Sequence, residues 1–431
     1  MIPNLVTVMD RQVLDLEKTL IDSTSMVERW FRMAWQDYTP PFYCSVDLRN
    51  AGFKLAPVDT NLFPGGFNNL AADMLPLAVQ AAMSAIEKYC PEAKNLLLIP
   101  ENHTRNQYYL DSIRRLMEIL RQTGLDIRLG FLSEQVANPL PVTFSDGTKV
   151  VVEPVKRINN GRRVGLDDFN PCTILLNNDL SAGTPEVLKN VYDQSLLPPL
   201  HAGWTVRRKS NHFAAYDDVV RRFSRMLGID PWLVNPYFSR CTDVNFEERE
   251  GGEALAFQVN AVLTKVRRKY REYGIKEKPF VIIKADAGTY GMGIMTVSDA
   301  KEVLNLNRRQ RNKMSVIKDG QVVREVLVQE GVHSLERVND AVAEPVVYMI
   351  DRYVVGGFYR VNASRDINEN LNAPGAQFVP LPFSQQHTLP DVKAEPGKSE
   401  PNRYYMYGVI ARLALLAAAV ELEKTDPDMQ Q

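Results

Sequence analysis

Three stretches in the second half of the chain combine residue types that handle phosphate. The first is Pro279-Phe280-Val281-Ile282-Ile283-Lys284-Ala285-Asp286-Ala287-Gly288-Thr289-Tyr290-Gly291-Met292-Gly293-Ile294. An apolar strand delivers Lys284, and Gly288, Gly291 and Gly293 follow closely. Glycines let backbone N–H groups approach phosphate oxygens, and lysine adds a compact positive charge. No Gly-Lys-Ser/Thr follows, so this is not a Walker A loop, and Gly-x-x-Gly-x-Gly is not the dinucleotide fingerprint. The second stretch, Val326-Leu327-Val328-Gln329-Glu330-Gly331-Val332, ends a strand in Gln329 and Glu330. It offers backbone hydrogen bonds to a base edge and a carboxylate to a ribose. The third runs from Asp351 through Arg360 to Glu369, Asn370 and Asn372. Oxygen donors beside phosphates suit Mg2+, and Arg360 suits a carboxylate or a transferring phosphoryl group. Each stretch also has a plainer reading: a tight turn with a solvated lysine, an edge strand with polar ends, and a loop with Asx turns.

The first half offers groups for an amino acid. Arg49, Asp59, Asn61 and Asn68 lie in one polar segment, Glu101 and Arg105 in a second, and Asn177-Asn178-Asp179 form a third. Each follows an expected strand, and open parallel sheets bind ligands beyond the carboxyl ends of their strands. An ammonium group needs a carboxylate, for which Asp59 is the candidate. An α-carboxylate needs a guanidinium, from Arg49 or Arg105.

Composition narrows the classes. Hydrophobic residues are 45% and charged residues 24% of 431, which is a globular profile. The net charge of -1 supplies no field for nucleic acid or an anionic membrane. The five histidines form no zinc-binding pair, and no Gly-x-Ser-x-Gly elbow occurs. Four widely spaced cysteines without a Cys-x-x-Cys pair predict reduced thiols. The start has no basic and apolar leader, and the apolar run Leu413–Val420 is too short for a bilayer, so a cytoplasmic protein is expected.

These residues need elements to hold them. Periodicity predicts an amphipathic helix over Leu5–Gln36, strands at Phe42–Leu48, Asn95–Ile99, Asp126–Leu132 and Cys172–Leu176, and helices at Leu70–Tyr89 and Thr104–Gln122. That alternation is the order of a doubly wound parallel sheet. Asp146-Gly147 marks a hairpin, and Thr184-Pro185 opens a helix. A domain change is placed near Pro198-Pro199. Beyond it come helices at Ala214–Leu227, Glu253–Tyr273 and Tyr405–Glu423, strands at Phe280–Lys284 and Val322–Gln329, and two strands within Val346–Asn362 turned at Gly356-Gly357. The expected fold class is α/β plus α+β: a parallel-sheet substrate domain over 1–200, then a nucleotide-binding domain over 201–431 with subdomains at about 201–325 and 326–431.

The order of strand, Lys284 and glycines, then Gln329-Glu330, then Asp351, Arg360 and an Asn-rich loop resembles the ATP-grasp domain, over roughly residues 200–431. The resemblance implies two subdomains that clamp ATP, a lid at Gly288–Gly293 and an adenine hinge at Gln329–Val332. It also implies an earlier phosphate lysine at Lys209 and a pre-ATP-grasp-like first domain. The Glu-x-Asn metal pair of such domains is only approximated by Glu369, Asn370 and Asn372. With Val58–Leu70 and Glu101–Asn106 included, nearly the whole chain looks like a bacterial glutamate–cysteine ligase family. That family implies ATP, Mg2+, L-glutamate and L-cysteine, an acyl-phosphate route to gamma-glutamylcysteine, and the first step of glutathione biosynthesis. No enzyme thiol is required. The alternatives are a glutathione synthetase-like carboxylate–amine ligase and a nucleotide-binding regulator without turnover. A homo-oligomer is compatible with the sequence.

Overall fold

The computed structural model describes residues 5–7, 11–102, 106–132, 138–287, 293–315, 322–381 and 402–429. The first element is a short strand, β1 (Leu5–Thr7), followed by α1 (Arg11–Asp22) and α2 (Thr24–Asp37). The single helix expected over Leu5–Gln36 is therefore three pieces. The break falls at Ser23, and the Thr24 hydroxyl donates to the Ile21 carbonyl at 2.6 Å. Such local hydroxyl bonds compete with helical ones.

A six-stranded sheet has the order β11-β10-β4-β5-β7-β6, comprising β4 (Asn95–Pro100), β5 (Asp126–Phe131), β6 (Leu140–Thr143), β7 (Lys149–Pro154), β10 (Thr173–Asn177) and β11 (Ser195–Leu197). Every neighbouring pair is parallel except the β6–β7 hairpin. Leu96–Ile99 and Ile174–Leu176 are wholly buried, as continuous apolar strands covered on both faces must be. α3 (Leu75–Tyr89) and α4 (Gln107–Gln122) pack here, and Asn106 caps α4 by accepting from the Tyr109 N–H. β8 (Lys156–Ile158) and β9 (Arg163–Gly165) form a separate ribbon. At Thr184-Pro185 there is a single 3-10 turn, Glu186–Leu188, where a helix was expected.

The second sheet takes strands from both sides of the expected division at residue 200. β2 (Tyr43–Asn50) is not part of the parallel sheet. It pairs antiparallel with β3 (Leu55–Asn61) and with β17 (Ala341–Ile350), with Asp47 opposite Val346. β16 (Glu336–Val338), β18 (Tyr353–Asn362) and β19 (Gln377–Pro380) complete this sheet with β1. Alternation decides its faces: Val347 and Met349 enter one core, Val346, Tyr348 and Ile350 the other. Apolar alternation shows that a strand has two faces, but it does not name the strand's partner. The turn between β17 and β18 is at Asp351-Arg352, with Asp351 at φ 51°. Gly356 and Gly357 instead lie within β18, opposite Tyr348 and Val347 beside a bulge, where Gly356 takes φ 134°.

The third sheet is antiparallel, ordered β12-β15-β13-β14, from β12 (Phe238–Cys241), β13 (Val281–Ala285), β14 (Ile294–Val297) and β15 (Val326–Glu330). α6 (Gly252–Tyr273) backs it, and α7 (Ala300–Leu304) and α8 (Arg308–Ser315) follow β14. The last helix, α9 (Arg403–Thr425), packs on α5 (Lys209–Leu227). By length and composition α9 is apolar enough to cross a membrane. It is 89% buried inside the protein, however, which is the behaviour of a core helix.

The cysteines depart from expectation. Cys90 and Cys172 form a disulfide with Cα atoms 6.6 Å apart, while Cys44 and Cys241 are free and buried. Cys90 caps α3 just before β4, and Cys172 precedes β10, the neighbour of β4. The parallel sheet brings the two together across 82 residues.

Candidate active site

Two adjoining cavities, of about 110 and about 370 Å3, share Asp47, Asp59, Lys209 and Asn372 as walls. Several pieces of chain build them. β13 alternates Val281 and Ile283 into the core of the third sheet, so Ile282 and Lys284 face the smaller cavity. The Lys284 ammonium donates to the Val58 carbonyl of β3 at 2.7 Å. Just beyond, the buried Asp286 carboxylate accepts from the Ser210 N–H at 2.8 Å and the Ser210 hydroxyl at 2.7 Å, and its carbonyl accepts from the Lys209 N–H. This stitch fixes the start of α5 against the end of β13. Lys209 then reaches Asp59 at 2.8 Å.

β2, β17 and β18 bring charge from the other side. Arg360 bonds Asp47 at 2.7 Å and Glu344 at 2.6 Å, and Arg49 bonds Glu344 at 2.9 Å. Burial lowers the Lys284 pKa to about 8, against the support of the Asp59 charge. Burial would raise the Asp59 carboxyl, but Lys209 and Lys284 outweigh it and hold it well below the usual carboxylate range. Burial and the Glu344 charge raise Asp47, while Arg360 opposes them.

The smaller cavity has an apolar wall of Val58, Ile282, Ala285, Ile294 and Val332, with Gln329 beside it, and a charged wall that includes Lys284, Arg49 and Glu344. The Gln329 side-chain Nε2 is buried without a partner among the described residues. An apolar slot with one waiting donor suits a purine. The larger cavity is polar, lined by Asn61, Asn68, Tyr348, Arg207 and Arg360 among others, and suits a charged small molecule.

Comparison with known proteins agrees with this geometry. The model of the glutamate-cysteine ligase (GshA) family matches residues 17–422. The chain belongs to the glutamate-cysteine ligase family. A crystal structure from Methylobacillus flagellatus KT, provisionally named a gamma-glutamylcysteine synthetase, is similar over 99% of this chain and 100% of that one, at 58% identity and TM-score 0.90. A D-alanyl-alanine synthetase A from Vibrio cholerae O1 biovar eltor str. N16961 overlaps 74% of this chain and 81% of its own, at only 11% identity and TM-score 0.32. No curated protein gives a match. The enzyme is an ATP-dependent ligase of glutamate and cysteine, acting in glutathione biosynthesis.

Within this glutamate-cysteine ligase the structure gathers Lys284, Lys209, Gln329, Glu330, Val332, Arg360, Asp59, Asn61, Asn68, Asn370 and Asn372 around the two cavities. Several expected roles change. The Glu330 carboxylate does not reach for a ribose: it turns into the core, accepting from Lys54 at 2.9 Å, Trp232 Nε1 at 3.0 Å and the Tyr237 N–H at 2.9 Å. Arg49 lines the smaller cavity rather than the amino-acid side. Asp351 is not a metal candidate: it is buried behind the sheet and bonded to Ser84 and Lys88 of α3. Glu369 bonds Arg365 and caps Asp366 instead of facing the cavities. Glu101 lies outside the cleft and accepts from the Asp179 N–H. Gly288, Gly291 and Arg105 lie outside the described residues; Gly293 is buried at φ 61° and accepts from the Ala285 N–H.

Residues given no role from sequence are Asp47, Glu344, Asp286 and Arg207. Glu344 carried a readable signal, since an acid inside Val342-Ala343-Glu344-Pro345-Val346 is a buried charge that needs partners.

Proposed function

We propose that ATP occupies the smaller cavity, with its γ-phosphoryl at the shared wall, and that glutamate lies in the larger one. The observation that carries this is the meeting of Lys284 and Lys209, from β13 and α5, with Asp59 at the junction of an apolar slot and a polar cavity. The γ-carboxylate of glutamate attacks the γ-phosphoryl group there. Lys284 and Lys209 offset the charge that builds up, and Arg360, held by Asp47 and Glu344, adds a fixed positive field. An acyl phosphate and ADP result. The neutral amine of cysteine then attacks the acyl carbon and phosphate leaves.

The third sheet and the seven-stranded sheet act in this reading as the halves of an ATP-grasp-like clamp, with the parallel sheet as a pre-ATP-grasp-like support. Among the described residues no three-carboxylate metal cage exists. Mg2+ uses few protein ligands and several phosphate oxygens. Asp47, Glu344, Asn370 and Asn372 are the oxygen donors on the cavity walls that would hold it, and it would supply charge neutralisation at the phosphates. A cytoplasmic setting belongs to the same reading.

Hydroxylamine trapping tests the proposal. With ATP, Mg2+ and glutamate but no cysteine, the enzyme should form glutamyl hydroxamate. Lys284→Ala should lower kcat at least about a hundredfold, as loss of one charge-stabilising donor does. Near-wild-type turnover in that variant would contradict the assignment. Phosphate release only with a dipeptide and glycine would indicate a glutathione synthetase-like enzyme, and ATP binding without release a regulator.

A further inference from the structure

Arg207 is a further cation of the site, besides Lys209, Lys284 and Arg360. It lies just before α5, and it lines the larger cavity. Two of its guanidinium nitrogens, Nε and one Nη, donate to the two carboxylate oxygens of Glu421 at 2.9 and 2.8 Å. The other Nη donates to the Thr60 carbonyl at 2.7 Å. Glu421 belongs to α9, is 2% exposed and is not on the cavity wall. It also lies 3.0 Å from His212 Nδ1.

The other cations of this cavity are held differently. Lys209 and Arg360 are paired with Asp59 and Asp47, which line the same cavity. Among the described lining residues, Arg207 is thus the cation whose hydrogen-bonded carboxylate sits behind the wall, while the Asp59 charge acts on it from the cavity side without a hydrogen bond. A guanidinium has five N–H groups. Three are engaged here, which leaves two for a ligand. The Glu421 fork fixes the plane in which they point.

Its position sets which group it meets. Arg207 is anchored on Thr60 and Lys209 on Asp59, adjacent residues of β3. If the γ-carboxylate of glutamate sits at Lys209 and Lys284, the α-carboxylate, three carbons away, has to be held on the same wall but not at the same point. We propose that Arg207 binds the α-carboxylate of glutamate, with Glu421 as its positioning residue. This rests on the reading that glutamate occupies the larger cavity.

The test compares glutamate with 4-aminobutyrate, which keeps the amine and the activatable carboxylate and lacks only the α-carboxylate. Hydroxamate formation with ATP, Mg2+ and hydroxylamine reads both. Wild type should prefer glutamate in kcat/KM by about tenfold to a hundredfold, the range for a charged hydrogen bond. Arg207→Ala should bring that ratio to within roughly threefold, because glutamate loses the contact and 4-aminobutyrate has none to lose. The change should fall mainly on the KM for glutamate, with the KM for ATP unmoved. Arg207→Lys should give an intermediate ratio, since it keeps a point charge without the fork. Glu421→Gln should also fall between, which a purely structural role would not produce. Equal losses for both acids, or a wild-type ratio in Arg207→Lys if the alanine variant does not fold, would overturn the assignment. Failure of wild type to form any glutamyl hydroxamate would remove the ligase mechanism and this assignment together. A formed hydroxamate with an unchanged ratio removes the assignment alone.

Discussion

Lys284 is buried, and that burial sets how far its charge persists as pH rises. Its pKa is lowered to about 8, so the ammonium is present at neutral pH and is lost as pH rises through that value. ATP affinity of the free enzyme, titrated without amino acids, should therefore weaken above about pH 8. Lys284→Arg should move this alkaline limb beyond the accessible range, because arginine stays protonated there. An identical limb in the variant would show that another group, such as Lys54, also lowered to about 8, controls it. At this scale the sequence placed Lys284 on a strand, because the apolar run that carries it is contiguous. It was a poor guide to Glu330, because nothing adjacent in the chain announces Lys54 and Trp232 as its partners.

Elements decide how tightly the slot proposed for the nucleotide is held. The hinge after β15 is pinned where the Gly331 N–H donates to the Phe280 carbonyl at 2.9 Å. A Cβ at Gly331 would lie 2.1 Å from the Phe280 ring, so no side chain fits without moving the hinge. Gly331→Ala should cost about 1–3 kcal/mol by overpacking in urea denaturation. It should also raise the KM for ATP far more than that for glutamate. A variant with both constants unchanged would show that the hinge does not shape the slot. β13, β15, α5 and α6 were legible because each has its own period. The turn at Asp351 was not, because Gly356-Gly357 carries the stronger turn composition while Asp351 takes the positive φ. Gly356 is used within the strand instead, where it takes a φ of 134° beside the bulge.

The whole molecule is tied together by contacts that span the chain. Arg207 and His212 bind Glu421, joining α5 and its lead-in to α9 more than 200 residues away. Burial would raise the Glu421 carboxyl, but Arg207 and His212 outweigh it and lower the pKa to about 2 from 4.5. Stability from this group is thus full above about pH 4.5 and is lost as pH falls towards about 2. The stability gap between wild type and Glu421→Gln should close over that window in acid-titrated unfolding. A constant gap would exclude the ionised pair as its source. The Cys90–Cys172 link closes a span of 82 residues away from both cavities. Replacing both residues with serine should lower stability by about 2–5 kcal/mol while leaving kcat unchanged. A lowered kcat would tie the parallel sheet to catalysis.

The sequence by itself determined the local chemistry: a lysine at the end of an apolar strand, a glycine-rich loop after it, and the alternation of strands and helices in the first half. Those follow from period and composition within short windows. The tertiary structure alone decided which strands pair, which cysteines meet and which charges neutralise one another. β2 joins β17 across some 300 residues, and that pairing sets Asp47 beside Arg360 and Glu344. Such choices depend on closing long stretches of chain around a common core, and no local pattern encodes the partner.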